Sequence, residues 1–90
     1  MAELVFFRRG EEVLRFTLDS ARTVLGRGEN CDVVIPDPEV SRQHVALTLE
    51  GGECTLEDLS GKGTVVSGKK ETRAPLPDGA DLTLGQWRAV

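Results

Sequence analysis

Residues 59–70 read LSGKGTVVSGKK and gather three of the chain's ten glycines with three lysines. Ser60, Lys62 and Thr64 bring hydroxyl and ammonium donors to a turn that could hold an anion. A glycine-rich turn between two strands would account for the same residues without any ligand. Two other loops carry side chains of the same kind. Gly26-Arg27-Gly28 puts a guanidinium, a planar fork matched to two oxygens, between glycines that let other chain segments come close. Ser41-Arg42-Gln43-His44 adds a hydroxyl, a second guanidinium and the only histidine. Singly, each has an ordinary structural role: Arg27 a solvated loop residue, Ser41 a turn residue bonded to its own backbone, His44 a satisfied histidine. Together they are much more specific than any one of them alone.

Covalent chemistry fits poorly. Ser41, His44 and Asp58 make a hydrolase triad only on paper, because the chain has no Gly-x-Ser-x-Gly elbow. Gly61-Lys62-Gly63-Thr64 is not a nucleotide P-loop: a glycine separates lysine from threonine, and no strand–loop–helix surrounds it. No catalytic residue is assigned, and the chain is not expected to be an enzyme.

The segments that position these loops are short and rich in Val, Leu, Thr and Phe, which predicts strands at 3–8, 13–18, 23–26, 32–35, 44–50, 54–59, 63–66, 71–74, 81–85 and 87–90. Between them stand turn signals such as Gly10, Pro36-Asp37-Pro38, Gly51-Gly52 and Pro77-Asp78-Gly79. In HVALTLE, Val45, Leu47 and Leu49 alternate with His44, Ala46, Thr48 and Glu50, and Gly51-Gly52 turns that strand into a hairpin with ECTLEDL. No segment holds a helical period. The expected fold is all-β: an antiparallel β-sandwich of two sheets with ten to eleven short strands, whose function lies in loops clustered at one end.

Ninety residues, 39% hydrophobic and 29% charged, suit one domain over residues 1–90. The net charge of −4 argues against general nucleic-acid binding, which needs a basic stripe. No apolar run approaches the ~20 residues that span a bilayer, and MAELVFFRRG has its charges in the wrong order for a secretory signal. A cytoplasmic monomer with no membrane partner is expected. Cys31 and Cys54 form no disulfide framework and no paired zinc spacing, so neither a metal nor a cofactor is expected. Cys54 reads as a small buried hydrophobe, and Cys31, in a loop, as partly exposed.

Read in order, Gly26-Arg27, then Ser41-Arg42-Gln43-His44, then DLSGKGT at 58–64 with a glycine at 68, resemble the forkhead-associated (FHA) domain. The stretch TVLGRGENCDVVIPDPEVSRQHVAL fits that family's first two motifs, and LPDGADLTLG its final turn and strand. The resemblance covers nearly the whole chain. It implies a phosphopeptide-binding module that recognises phosphothreonine in a protein partner, a Ser/Thr kinase or its substrate among the candidates.

By that resemblance Arg27, Ser41, Arg42, the Gly61 N–H and Lys62 would contact the phosphopeptide, while Gly26, His44, Gly63 and Thr64 would be structural, the His44 ring holding the Ser41 loop. A phosphate with ~ −1.5 to −2 charges would take the Arg27 fork and the Ser41 hydroxyl. One position departs from the pattern. Most of the family has Asn-Gly-Thr where this chain has Lys62-Gly63-Thr64. Lysine has no acceptor, so it cannot grip a peptide backbone as Asn does, but it can attract phosphate or an acidic neighbour. The alternative reading is a phosphate-independent docking module with a weakened site.

Overall fold

The computed structural model describes residues 2–90. It contains eleven strands: β1 (Ala2–Arg8), β2 (Glu11–Leu18), β3 (Arg22–Gly26), β4 (Val33–Val34), β5 (Val45–Glu50), β6 (Glu53–Asp58), β7 (Thr64–Val66), β8 (Lys69–Glu71), β9 (Arg73–Pro75), β10 (Leu82–Leu84) and β11 (Trp87–Ala89). They form a six-stranded sheet in the order β2-β1-β11-β10-β7-β8 and a five-stranded sheet in the order β4-β3-β5-β6-β9. The all-β two-sheet sandwich expected from the strand pattern is therefore the observed architecture.

Period-two alternation aims one face of each sheet inward. Leu4 and Phe6 from β1, Leu82 and Leu84 from β10, Leu25 from β3, Val45 and Leu47 from β5 and Leu56 from β6 share one core. Removing each such side chain from water is worth about 1.5–3 kcal/mol. Ile35 and Val40, which flank the proline-rich loop after β4, are plugged into the same core. That anchors both ends of a loop whose middle would otherwise be free.

Four hairpins close through two-residue turns. Arg9-Gly10, Gly51-Gly52 and Ser67-Gly68 have positive φ at both central residues, and Gly85 leads the fourth with φ 61°. Positive φ is what turns matching the twist of their flanking strands demand.

The structure differs from the sequence reading in three places. The run Glu71–Ala74, expected as one strand, is split at Thr72. β8 pairs with β7 in one sheet and β9 with β6 in the other, so the chain crosses the sandwich there. One pair, β3 with β4, is parallel, because residues 27–32 fold straight back along β3. The Val24 N–H donates to the Asp32 carboxylate at 2.8 Å and the Asp32 N–H to the Val24 carbonyl at 2.9 Å. That fold-back covers the outer face of the five-stranded sheet. Val24, Ala46 and Cys31 are buried there against Leu59, so the face of β5 that carries Ala46 forms a second small core, and Cys31 is buried, not partly exposed. Cys54 is half-buried against the main core.

Candidate functional site

The three loops singled out by residue type meet at one end of the sandwich. β3 ends at Gly26, where a β-carbon would collide with the Arg42 carbonyl and the Cys31 sulfur. The absence of a side chain lets the next residues lie directly against the loop before β5. The Arg27 N–H donates to the Ser41 carbonyl at 3.0 Å and the Gly28 N–H to the Arg42 carbonyl at 2.9 Å. The Cys31 thiol donates to that same Arg42 carbonyl at 3.0 Å. Arg27 Nε donates to the Val40 carbonyl at 3.1 Å, which fixes the guanidinium while its two terminal nitrogens remain without a protein acceptor among the described residues. Arg27 thus presents two parallel donors from a clamped stem.

His44 joins this pair of loops to the third. The Ser41 N–H donates to His44 Nδ1 at 3.1 Å, and the His44 N–H donates to the Leu25 carbonyl at 3.0 Å. The His44 carbonyl in turn accepts from Leu59 N at 2.8 Å and Ser60 N at 3.2 Å. The ring is buried, and burial pushes its pKa below the ordinary histidine value. Asp58 pulls it back up, and the ammonium of Lys62 adds to the lowering. The ring therefore stays neutral with Nδ1 as an acceptor.

Within the third loop a single carboxylate does the organising. Asp58 Oδ1 accepts from the Ser60 hydroxyl at 2.7 Å and the Thr64 hydroxyl at 2.8 Å, while Oδ2 accepts from Gly61 N at 3.0 Å and Gly63 N at 3.1 Å. Partial burial works against its charge, but these four donors outweigh it and hold the carboxyl below the usual range. Gly61 and Gly63 take φ of 81° and 86°, and a β-carbon at Gly63 would also strike the Lys70 side chain. The Gly61 N–H, read from the sequence as a phosphate donor, is instead turned inward onto Asp58, because an enclosed carboxylate collects the nearest amides. Thr64 is fully buried.

These loops enclose a cleft of about 830 Å³ lined by Arg27, Ser41, Arg42, Leu59 and Ser60 among others. The Ser41 hydroxyl has no protein partner among the described residues, and no carboxylate lies within 4.0 Å of the Arg27, Arg42 or Lys62 cations. Lys62 does not line the cleft, though its charge reaches the His44 ring that holds the Ser41 loop. Glu29 sits on the rim as the one carboxylate of the lining. The cleft is thus a preformed anion receptor: clamped guanidinium, free hydroxyl and a second guanidinium, that of Arg42, in one concavity.

A β-sandwich whose loops carry this arrangement is the architecture of the FHA domain. The FHA domain family model matches residues 23–85, and the chain belongs to that family. It is 35% identical over 89 residues to the glycogen accumulation regulator GarA of Mycolicibacterium smegmatis, which covers 97% of this chain and 56% of that protein. It is 30% identical over 89 residues to the oxoglutarate dehydrogenase inhibitor of Corynebacterium efficiens, covering 97% of this chain and 63% of that one. The chain thus spans little more than half the length of these curated relatives. Among solved structures it is similar to the FHA domain of FhaA in complex with the intracellular domain of another protein. The TM-score is 0.87 and the identity 28%, over 98% of this chain and 96% of that one. A second match comes from work on phosphothreonine-dependent FHA domain interactions, with TM-score 0.86 and 26% identity over 99% of this chain and 94% of that one.

Proposed function

We infer that this chain captures a threonine-phosphorylated segment of a protein partner in the cleft beside Arg27. The observation that carries the reading is the Arg27 side chain itself. Its Nε is committed to the Val40 carbonyl, so the two terminal nitrogens are aimed as a pair, and the free Ser41 hydroxyl lines the same cleft. Two phosphate oxygens take the fork and the third takes the hydroxyl, with Arg42 adding a second cation. Lys62 acts from the flank, through its field on the phosphate or on an acidic neighbour. Each charge-assisted bond contributes about 1.5–3 kcal/mol, so three or four support roughly micromolar binding once ordering costs are met.

The role is binding, not catalysis. The only histidine is a neutral acceptor for a backbone amide, and Asp58 is saturated by loop donors. The relatives named as a regulator and as an enzyme inhibitor support a regulatory role for this binding. On this reading the bound phosphoprotein is a cytoplasmic partner whose phosphate comes from a Ser/Thr kinase. The test is titration of the chain against a degenerate phosphothreonine peptide library, with phosphoserine and unphosphorylated libraries alongside. Enrichment confined to the phosphothreonine library is expected. Equal binding of the unphosphorylated library, surviving loss of Arg27, would establish a phosphate-independent docking module instead.

A further inference from the structure

The cleft does not end at Arg27. Arg27 also lines a shallow groove with Pro36 and Pro38, and those prolines line the next recess, about 240 Å³, with Arg8, Arg9 and Trp87. Arg9 then borders a third recess, about 590 Å³, on the outer face of the six-stranded sheet, where Val5, Phe7 and Val90 lie half-buried. Each recess shares a wall with the next, so one track runs from the anion receptor round the end of the sandwich.

Its floor is built. Asp37, 6% exposed, accepts from Glu39 N at 2.9 Å and from Gln86 N at 2.8 Å, which ties the proline loop to the β10–β11 turn. Gly85 permits this, since a β-carbon there would stand 2.6 Å from the Asp37 carboxylate. Trp87 is set edge-on to Phe6, with ring centroids 6.4 Å apart.

Arg9 is the unexplained residue of the track. It occupies the first central position of a two-residue hairpin turn with φ 54°, a place that suits Asn, Asp or Gly and costs a long side chain strain. It does nothing visible for the fold: it is exposed, and no carboxylate lies within 4.0 Å of it or of Arg8 among the described residues. The neighbouring Arg88 is already paired with Asp81 at 3.3 Å. Arg8 lends part of its charge to the buried Asp37 carboxylate, but Arg9 has no such partner, and in a chain of net charge −4 an unpaired arginine beside an apolar recess marks a surface complementary to acid.

We propose that this track is a second docking site for the same phosphorylated partner, taking a segment beyond the phosphothreonine motif. That segment carries an acidic side chain for Arg9 and Arg8, followed by an apolar one for the recess beside Phe7. The proposal rests on the reading of the Arg27 cleft as the phosphothreonine site. Glu39, on the proline loop, repels acid placed too early, so the acidic residue is set at the Arg9 end of the track. The gain comes from tethering: once the phosphate is held, the second contact is intramolecular.

The test uses phosphothreonine peptides in two lengths. The short form has three neutral residues on each side. The long forms add a Glu-Glu-Leu cluster through Gly-Ser spacers of graded length, on the amino or the carboxyl side, with Gln-Gln-Leu controls. At one spacer length and on one side, the acidic long form is expected to bind about tenfold tighter than the short form, and the gain is expected to shrink in high salt. Arg9→Asn and Phe7→Ser are expected to abolish the gain while leaving the short peptide's affinity unchanged. Arg9→Asn places the favoured Asn-Gly pair in the turn, so its melting temperature is expected to equal or exceed that of the parent. A long form no tighter than its control at every spacer, or a gain that survives Arg9→Asn, overturns the proposal. So does a fall in melting temperature for Arg9→Asn, since the arginine would then serve the fold. Failure of the short peptide to bind at all instead removes the reading of the Arg27 cleft on which the proposal stands.

Discussion

The backbone N–H of Ser41 donates to Nδ1 of His44 across 3.1 Å, so the loop that offers the Ser41 hydroxyl depends on the protonation state of a buried ring. Burial holds that ring's pKa below its ordinary value. The unfolded chain takes up the proton near ~6.5, while the folded chain takes it up only at lower pH. Between those two values the unfolded state binds more protons, so stability is full above about pH 6.5 and falls as the pH drops through it. The parent melting temperature is therefore expected to decline between about pH 7.5 and 5.5. His44→Ala removes the acceptor and lowers stability by about 1–3 kcal/mol at neutral pH, and it flattens that slope. Thermal melts of both proteins across this range check the expectation. A parent curve with no slope in this window would show that the ring is not held neutral.

Arg27 is expected to be the largest single contributor to phosphate binding. Its side chain is exposed, and its one protein bond is to the Val40 carbonyl, so Arg27→Ala is expected to leave the fold intact. The substitution removes a paired, charge-assisted contact and should weaken a phosphothreonine peptide by about 2–4 kcal/mol. Calorimetric titration with the circular dichroism spectrum as a folding control measures both. An unchanged affinity sinks the phosphate reading.

Asp58 is expected to matter as much as any residue that touches the ligand. Asp58→Ala strips the acceptor from two hydroxyls and two amides, and the fully buried Thr64 hydroxyl is then left without a partner. A loss of about 2–3 kcal/mol in stability follows from the unpaired buried groups. Phosphopeptide affinity is expected to fall with it, because the Ser60 side of the cleft loosens. Denaturant unfolding together with titration against the same peptide tests the pair. A variant with parental stability and reduced affinity would mean that Asp58 meets the ligand directly.

Residue types made the three loops legible because glycine, hydroxyl and cation were each concentrated in short, strand-flanked stretches. The order of Gly26-Arg27, Ser41 to His44 and Asp58 to Thr64 then pointed to one family. The function of Asp58 was harder to see, since it is one acid among fifteen acidic residues. Its signal was its place just before Ser-Gly-Lys-Gly-Thr, where an aspartate collects the amides of its own turn. The family resemblance assigns the Gly61 N–H to the ligand, whereas in this turn it serves Asp58. The burial of Cys31 and of Ala46 was not legible for a different reason. Their burial depends on residues 27–32 folding back beside β3, a non-local contact that no local period encodes. Likewise the break at Thr72 marks a change of sheet, and alternation along a strand does not say which sheet the strand has joined.

Lys62 is where this chain leaves its family's usual Asn-Gly-Thr, and its position predicts a change of selectivity more than of stability. The side chain is exposed and does not line the cleft, yet its charge is felt at His44 behind the Ser41 loop. Lys62→Asn exchanges that charge for an amide with both a donor and an acceptor, able to pair with a peptide backbone. Phosphothreonine peptides with neutral flanks are expected to bind more tightly to the variant, and those with acidic flanks to lose their advantage. The salt dependence is expected to become shallower, because exposed charges are screened within ~8–10 Å at physiological ionic strength. Melting temperature should change little, since the backbone bond from Lys62 N to the Ser60 hydroxyl, at 3.1 Å, is available to any residue at this position. The measurement takes a neutral-flanked and an acidic-flanked peptide at low and high salt, against parent and variant. Four affinities unchanged within error would place the ammonium away from the bound peptide and make the substitution a neutral surface change.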